Sequence, residues 1–220
     1  AAAINSVTAS TGVEAVAITN AKLGAMSATG TVTFNIGSET AASEAAISVA
    51  VTDVSDLRGV RDAINAVAGT TGITAKMDSS SNANIILTHS GGKDIMISDF
   101  LVGTAATTMT LTGLDKNEAT TTSSGGTAVT LQSTAGANAF DDAVVNGHLS
   151  LNSHKTFTVT DSDTTTEQSF FDTGGTLTAT LSAISAINIG SSAGAESAIL
   201  VIDGAINKIN ASRADLGAIS

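Results

Sequence analysis

An α+β fold is what this sequence predicts: β-rich, with antiparallel strands, one or two short helices and a long amphipathic helix at the C-terminal end. Three observations carry it. Apolar and polar residues alternate along most of the chain, as in Val32, Phe34 and Ile36 against Thr31, Thr33 and Asn35. Two segments switch to the helical period, one near Leu57 and one after Ser192. The rest is punctuated by turn chemistry, with 21 Gly and no Pro among 220 residues.

Residues 3–15 and 63–75 resemble each other at an offset of 60: Ala3-Ile4-Asn5-Ser6-Val7 with Thr11-Gly12-Val13-Glu14-Ala15, and Ala63-Ile64-Asn65-Ala66-Val67 with Thr71-Gly72-Ile73-Thr74-Ala75. This is an internal repeat whose first copy reads as cut off. The complete copy opens with two half-buried strands, since Ile47, Val49 and Val51 also alternate with Ser48, Ala50 and Thr52. Leu57, Val60, Ile64 and Val67 then recur every three or four residues, which predicts a helix of about three turns. Asp53 or Ser55 is available as its N-cap and Gly69 as its stop. Three further strands follow, around Ile73–Met77, Ile85–Leu87 and Ile95–Ile97.

Between Gly113 and Gly126 the composition turns to Thr, Ser, Gly, Asp and Asn, which predicts a loop or inter-domain connection. Short strands resume at Val129 and Leu131, Leu149 and Leu151, Phe157 and Val159, Phe170, and Leu177, Ala179 and Leu181. The expected division is therefore residues 1–115, a β-rich domain with the repeat; 116–190, a second β-rich subdomain; and 191–220, the terminal helix. In that helix Ile199, Ile202, Ile206, Ile209, Arg213 and Leu216 step by three and four, a heptad-like seam interrupted only by the arginine. A narrow, regular stripe of this kind predicts packing against partner helices rather than against the chain's own sheet. Ser191 or Ser192 can cap its start, and Glu196 complements the helix dipole in the first turn.

Composition excludes several functions. Hydrophobic residues make up 42% but aromatics only 3%, so any core consists of small and branched aliphatics. Nine basic against 20 acidic residues give a net charge of −11, which repels nucleic acid and anionic membrane surfaces. No apolar run approaches the roughly 18 residues of a membrane span. Lacking an initiator Met and a basic, apolar leader, the chain reads as a soluble fragment. Without Cys there is neither a disulfide nor a thiolate site.

Candidate chemistry is sparse. His89, His148 and His154 show no paired-ligand spacing, although the last two can approach across a hairpin. Asp161, Asp163 and Glu167 lack the mid-loop Gly and the terminal Glu of a calcium loop. Gly190-Ser191-Ser192-Ala193-Gly194 matches a nucleophile elbow in form, but no His follows it to act as base. Asp141-Asp142 would point to opposite faces if extended, which makes a poor acid–base pair. Asn210-Ala211-Ser212 satisfies a glycosylation sequon but lies in the predicted helix. No enzyme, cofactor or metal site is expected.

Ile202-Asp203-x-Ala205-Ile206, followed by Asn210-x-x-Arg213-Ala214-x-Leu216-Gly217-Ala218, closely resembles the C-terminal core helix of bacterial flagellin. Asp56-Leu57 leading to Ala63-Ile64-Asn65 and Thr71-Gly72-Ile73-Thr74-Ala75 is similar to a module found in the outer part of many flagellins and some other flagellar axial proteins. The family pattern normally continues beyond Leu-Gly-Ala and begins with N-terminal core helices that this chain does not include. The resemblance implies an outer variable region with part of the inner core, from a subunit that is exported unfolded and assembles under a cap protein into the extracellular motility filament.

It further implies partners: other subunits through Ile199, Ile202, Ile206, Ile209 and Leu216; a flagellar cap and an export chaperone for the full-length chain; and the flagellin-sensing Toll-like receptor, whose contact would map to Asn207, Asn210, Arg213 and Leu216. Thr120–Ser124 and Thr164–Thr166 either carry O-linked glycan, as in some flagellins, or are ordinary strand and turn residues. The competing readings are a flagellar cap or hook–filament junction protein sharing the module, and a secreted adhesin or glycan-binding β module. The adhesin lacks the aromatics a ligand groove would use.

Overall fold

The computed structural model describes residues 1–38, 43–103, 106–115, 118, 128–133, 140–160, 176–179, 185, 187, 189–190 and 192–219. The chain divides into two compact units, one made of Ala1–Ala15 with Ser150–Ser220 and the other of Val16–Leu149. All the strand pairings with a described register are antiparallel.

In the unit Val16–Leu149, β2 (Gly30–Gly37) and β3 (Ala45–Val51) form the expected hairpin, with Val32 opposite Val49 and Phe34 opposite Ile47. Period-two alternation puts these side chains on one face, where Val32, Phe34 and Ile47 are buried. Helix α3 (Arg58–Ala66) follows and buries Val60 and Ile64, as its spacing predicted. Its N-cap is Leu57, without a side-chain cap, and the Asp56 carboxylate accepts the Arg58 N–H at 3.1 Å instead. Asp53 is spent on a local turn, accepting from the Ser55 N–H and hydroxyl. The expected stop at Gly69 is not used: α4 (Ala68–Thr71) runs through it, and the chain turns at Gly72, where φ is +71°. That left-handed conformation is open to glycine without the steric penalty a Cβ brings.

Strands β4 (Ile73–Asp78), β5 (Ser81–His89) and β6 (Ile95–Val102) come next, where three strands were expected. The stretch from Gly113, read as a loop, overlaps the end of a strand, β7 (Thr108–Leu114). Burial of Met109, Leu111 and Leu114 against the core outweighs the weak local signal of a Thr-rich segment. With β1 (Val13–Gly24) and β8 (Val129–Gln132), one sheet takes the order β4-β5-β1-β7-β8. The other takes β3-β2-β6-β9, with β9 at Ala143–Val145. Helix α3 packs on β3 and β4, the edges of the two sheets at one side, and β6 meets β8 at the other. The enclosed core includes Leu23, Phe34, Ile64, Ile85, Leu87, Ile97, Leu111 and Leu131. Its members come from both sheets and α3, as a layered packing requires.

The expected boundaries at 115/116 and 190/191 are not those of the compact units. Strand β8 pairs with β7 and β9 with β6, so residues after 115 complete sheets begun before it. In the other unit, α1 (Ala2–Asn5) and α2 (Thr8–Thr11) precede Gly12, β10 (His148–Ser153) pairs with β1, and β11 (Thr158–Thr160) pairs with β12 (Thr176–Thr178). Helix α5 (Ser192–Ile219) is 28 residues long. Phe170 and Leu181 lie outside the described residues.

Candidate assembly helix

Helix α5 has no glycine or proline between Ala195 and Asp203, and its alanines, leucine and isoleucines support continuous helix through that stretch. The isoleucines of the seam are turned to solvent: Ile199 is 59% exposed, Ile202 44%, Ile206 49%, Ile209 58% and Leu216 68%. Small residues lie on covered positions instead. Ala198 is 6% exposed, Gly204 and Ala205 are half-buried, and a Cβ at Gly204 would come within 3.9 Å of His154. The helix thus meets its own unit beside His154 through a small-residue side.

Asn207, Asn210 and Arg213 are all exposed. Asn210 stands four residues after Ile206, and Arg213 four after Ile209, so both share the face of the apolar seam. Asn207 lies about 100° round the axis from Ile206. An exposed isoleucine row flanked by an amide and a guanidinium can bury itself against another apolar helix while its polar edge bonds across the junction. The sequon at Asn210 lies within α5.

Candidate catalytic and metal groups turn out to have structural tasks. The His89 Nδ1 accepts the backbone N–H of Gly91 at 3.1 Å and of Lys93 at 3.4 Å, closing the turn between β5 and β6. His148 and His154 do not face each other across a hairpin: they stand at the start of one strand, β10, and just beyond its end. The His148 Nε2 is buried without a hydrogen-bond partner among the described residues. Asp141 and Asp142 hold a bulge, where the Asp141 carbonyl accepts the Phe100 N–H and the Asp142 carboxylate accepts the Asp99 N–H at 3.1 Å. Asp99 itself has a φ of +55° and accepts from the Asn35 side-chain amide.

A groove of about 180 Å³ between β3 and α3 is lined by Val49, Val51, Val60 and Asp56 among others. Its carboxylate is engaged by the Arg58 guanidinium, and this hydrogen-bonded pair lowers the Asp56 pKa from 3.8 to about 2. Among the described residues no three His, Cys, Asp or Glu come together as metal ligands, and no helix is long and apolar enough to cross a membrane. Asp161, Asp163, Glu167, Ser191, Thr120–Ser124 and Thr164–Thr166 lie outside the described residues.

The residues that site reasoning passed over belong to the repeat. The Asn65 side chain donates to the Ala75 carbonyl and accepts the Ala75 N–H, both at 2.8 Å, and so occupies the outer edge of β4. Asn5 does the same for Ala15, at 2.8 and 2.7 Å. The signal was present as the Ile-Asn pair recurring in both copies, but an asparagine in a helix gives no sequence mark of the strand it grips.

Residues 31–91 match the model of the flagellin hook IN motif. Over 85 residues the chain is 35% identical to B-type flagellin of Pseudomonas aeruginosa, an alignment covering 39% of this chain and 17% of that protein. The chain therefore spans about a sixth of the length of the curated relative it matches. A solved structure of the flagellar cap protein FliD of Escherichia coli aligns at 15% identity and TM-score 0.26, over 64% of this chain and 55% of that one. At that score the likeness carries no argument. The motif and the aligned flagellin make this chain flagellin-like over the matched residues.

Proposed function

We propose that this flagellin-like chain is part of the subunit of a bacterial flagellar filament, an extracellular appendage for motility. The two-sheet unit forms the outer, variable region, and α5 belongs to the inner core. The single observation that supports this most directly is the exposed seam on α5. Five large aliphatic residues in a heptad-like row remain open to solvent, and such a row favours a partner that covers it. The partners are the corresponding helices of neighbouring subunits, met through Ile199, Ile202, Ile206, Ile209 and Leu216.

Assembly follows from this arrangement. Burial of each seam residue stabilises association by about 1.5–3 kcal/mol before ordering costs are subtracted. The acidic, Thr-rich strands face water, where their negative charge keeps filaments dispersed. The full-length chain requires an export chaperone and a cap to reach and order its assembly site. Asn207, Asn210 and Arg213 form the C-terminal part of the surface met by the flagellin-sensing Toll-like receptor.

Electron microscopy of the full-length parent, heat-dissociated and seeded with filament fragments at neutral pH, tests the main reading. Long helical filaments are expected, and the double variant Ile202→Asp, Ile206→Asp is expected to stay folded and add to no seed. Short terminal caps alone would favour a cap or junction protein, and a particle that never adds to a seed would favour an adhesin.

A further inference from the structure

The structural devices of residues 58–89 recur at the start of the chain. Asn5 grips Ala15 as Asn65 grips Ala75. The Thr11 hydroxyl donates to the Val7 carbonyl and accepts the Val13 N–H, as Thr71 does with Val67 and Ile73. Gly12 and Gly72 both turn the chain in the left-handed region, at φ +67° and +71°. A histidine ring lies against each glycine: a Cβ at Gly72 would stand 2.7 Å from the His89 Nε2, and one at Gly12 would stand 3.5 Å from the His154 Cε1. His89 ends β5, the partner of β4, and His154 follows β10, a partner of β1.

The strands explain where the first copy continues. Strand β1 has twelve residues against six in β4. Its second half is claimed on both sides, by β5 from Thr19 to Gly24 and by β7 from Asn20 to Gly24. No edge is left there, so β10 pairs with the first half, Val13–Ile18. The Ser153 hydroxyl donates to the Gly12 carbonyl at 2.7 Å, which brings the end of β10 to the start of β1. Val13–Ile18 with β10 thus corresponds to β4 with β5. In the complete copy those strands are joined by a turn at Ser79 and Ser80. In the first copy the same position holds nearly all of the compact unit Val16–Leu149.

We infer that residues 1–18 and 148–154 are a second copy of the helix–glycine–hairpin half of the module, opened at its hairpin turn to receive residues 19–147 as an insert. Within the compact unit Val16–Leu149 the two ends of the insert are held together: Gly92, at φ +68°, lies against Ala17, Gly147 lies against the Gly92 carbonyl, and the Thr19 hydroxyl donates to the Lys93 carbonyl at 2.6 Å. The hairpin turn of this module is therefore an insertion site: what it carries can change while the unit bearing α5 keeps its own hydrogen-bonded frame. The inference is independent of the filament reading.

Residue-resolved hydrogen exchange on the full 220-residue chain tests it. Asn5→Ala is expected to speed exchange at the Ala15 amide by at least about tenfold and leave Ala75 unchanged, while Asn65→Ala does the converse. Leu111→Ala, in the core of the insert, is expected to speed exchange across Thr19–Gly24 by more than about tenfold while Val13–Ile18 and Ser150–Ser153 stay within about twofold. Leu111→Val serves in its place if the alanine variant does not fold. Acceleration of both halves of β1 together, an unprotected Val13–Ile18 in the parent chain, or an Ala15 amide indifferent to Asn5 would each overturn the inference.

Discussion

Ile64, Ile85 and Leu111 in the unit Val16–Leu149 are 0% exposed, whereas Ile199, Ile209 and Leu216 on α5 are 59%, 58% and 68% exposed. The residue types are the same, and so is the quality of the apolar pattern. What differs is the number of layers available. The two sheets close on each other, with α3 along one side, and their inward apolar faces find partners within the same unit. Helix α5 meets its own unit through small residues and leaves its large ones for something else. Periodicity therefore reports that a face is made to be buried, and packing alone reports whether the chain itself buries it.

The sharpest way to break the comparison is to remove large side chains from each region and follow urea unfolding of the unassembled chain. Leu111→Ala is expected to destabilise the Val16–Leu149 unit by about 3 kcal/mol, from lost burial plus the cavity left behind. Next in size are the two glycine turns. Gly72→Ala adds a Cβ in the left-handed region and against the His89 ring, for an expected loss of about 2 kcal/mol. Gly12→Ala meets only ordinary contact with His154 and is expected to lose about 1 kcal/mol, measured by the same unfolding curves. Equal losses would mean that the histidine contact contributes nothing at Gly72.

A smaller effect concerns acid. The Asp56 pKa is lowered from 3.8 to about 2 by its hydrogen bonds to Arg58, so its folded form favours the carboxylate. The stability it contributes is complete above 3.8 and is lost as pH falls through about 2. Asp56→Asn should flatten that part of the acid titration of stability and leave the curve near neutral pH parallel to the parent's; an unchanged acid limb would refute the linkage. Smallest of all, Ile206→Ala on α5 is expected to shift the unfolding free energy by less than about 0.5 kcal/mol. A loss as large as that of Leu111→Ala would show that α5 is already covered within the chain.

Much of this architecture was legible in advance. Alternation located β2 and β3, the spacing of Val60 and Ile64 located α3, and the seam located α5. Strand β7 was passed over, although Met109 and Leu111 alternate with Thr108, Thr110 and Thr112 at the period of a half-buried strand and fill the core. Where the compact units divide is hard to read for a related reason. Composition marks where a chain looks loop-like, but β8 and β9 return across that loop to finish earlier sheets. Asp53 and Ser55 were visible as helix-cap candidates, yet only the hydrogen bonds showed that Asp56 meets α3 instead.

By itself the sequence determined the classes of element, the absence of thiol chemistry, the acidic surface and the internal repeat, because these depend on residue type and spacing along the chain. The tertiary structure alone decided that Asn5 and Asn65 each complete the edge of a strand ten residues on, and that β1 serves two neighbours in one half and β10 in the other. It also decided that the isoleucines of α5 remain uncovered while their counterparts in the sheets are enclosed. Backbone groups must find hydrogen-bond partners and apolar faces must find opposing layers, and both demands are met across distances in sequence that local patterning does not encode.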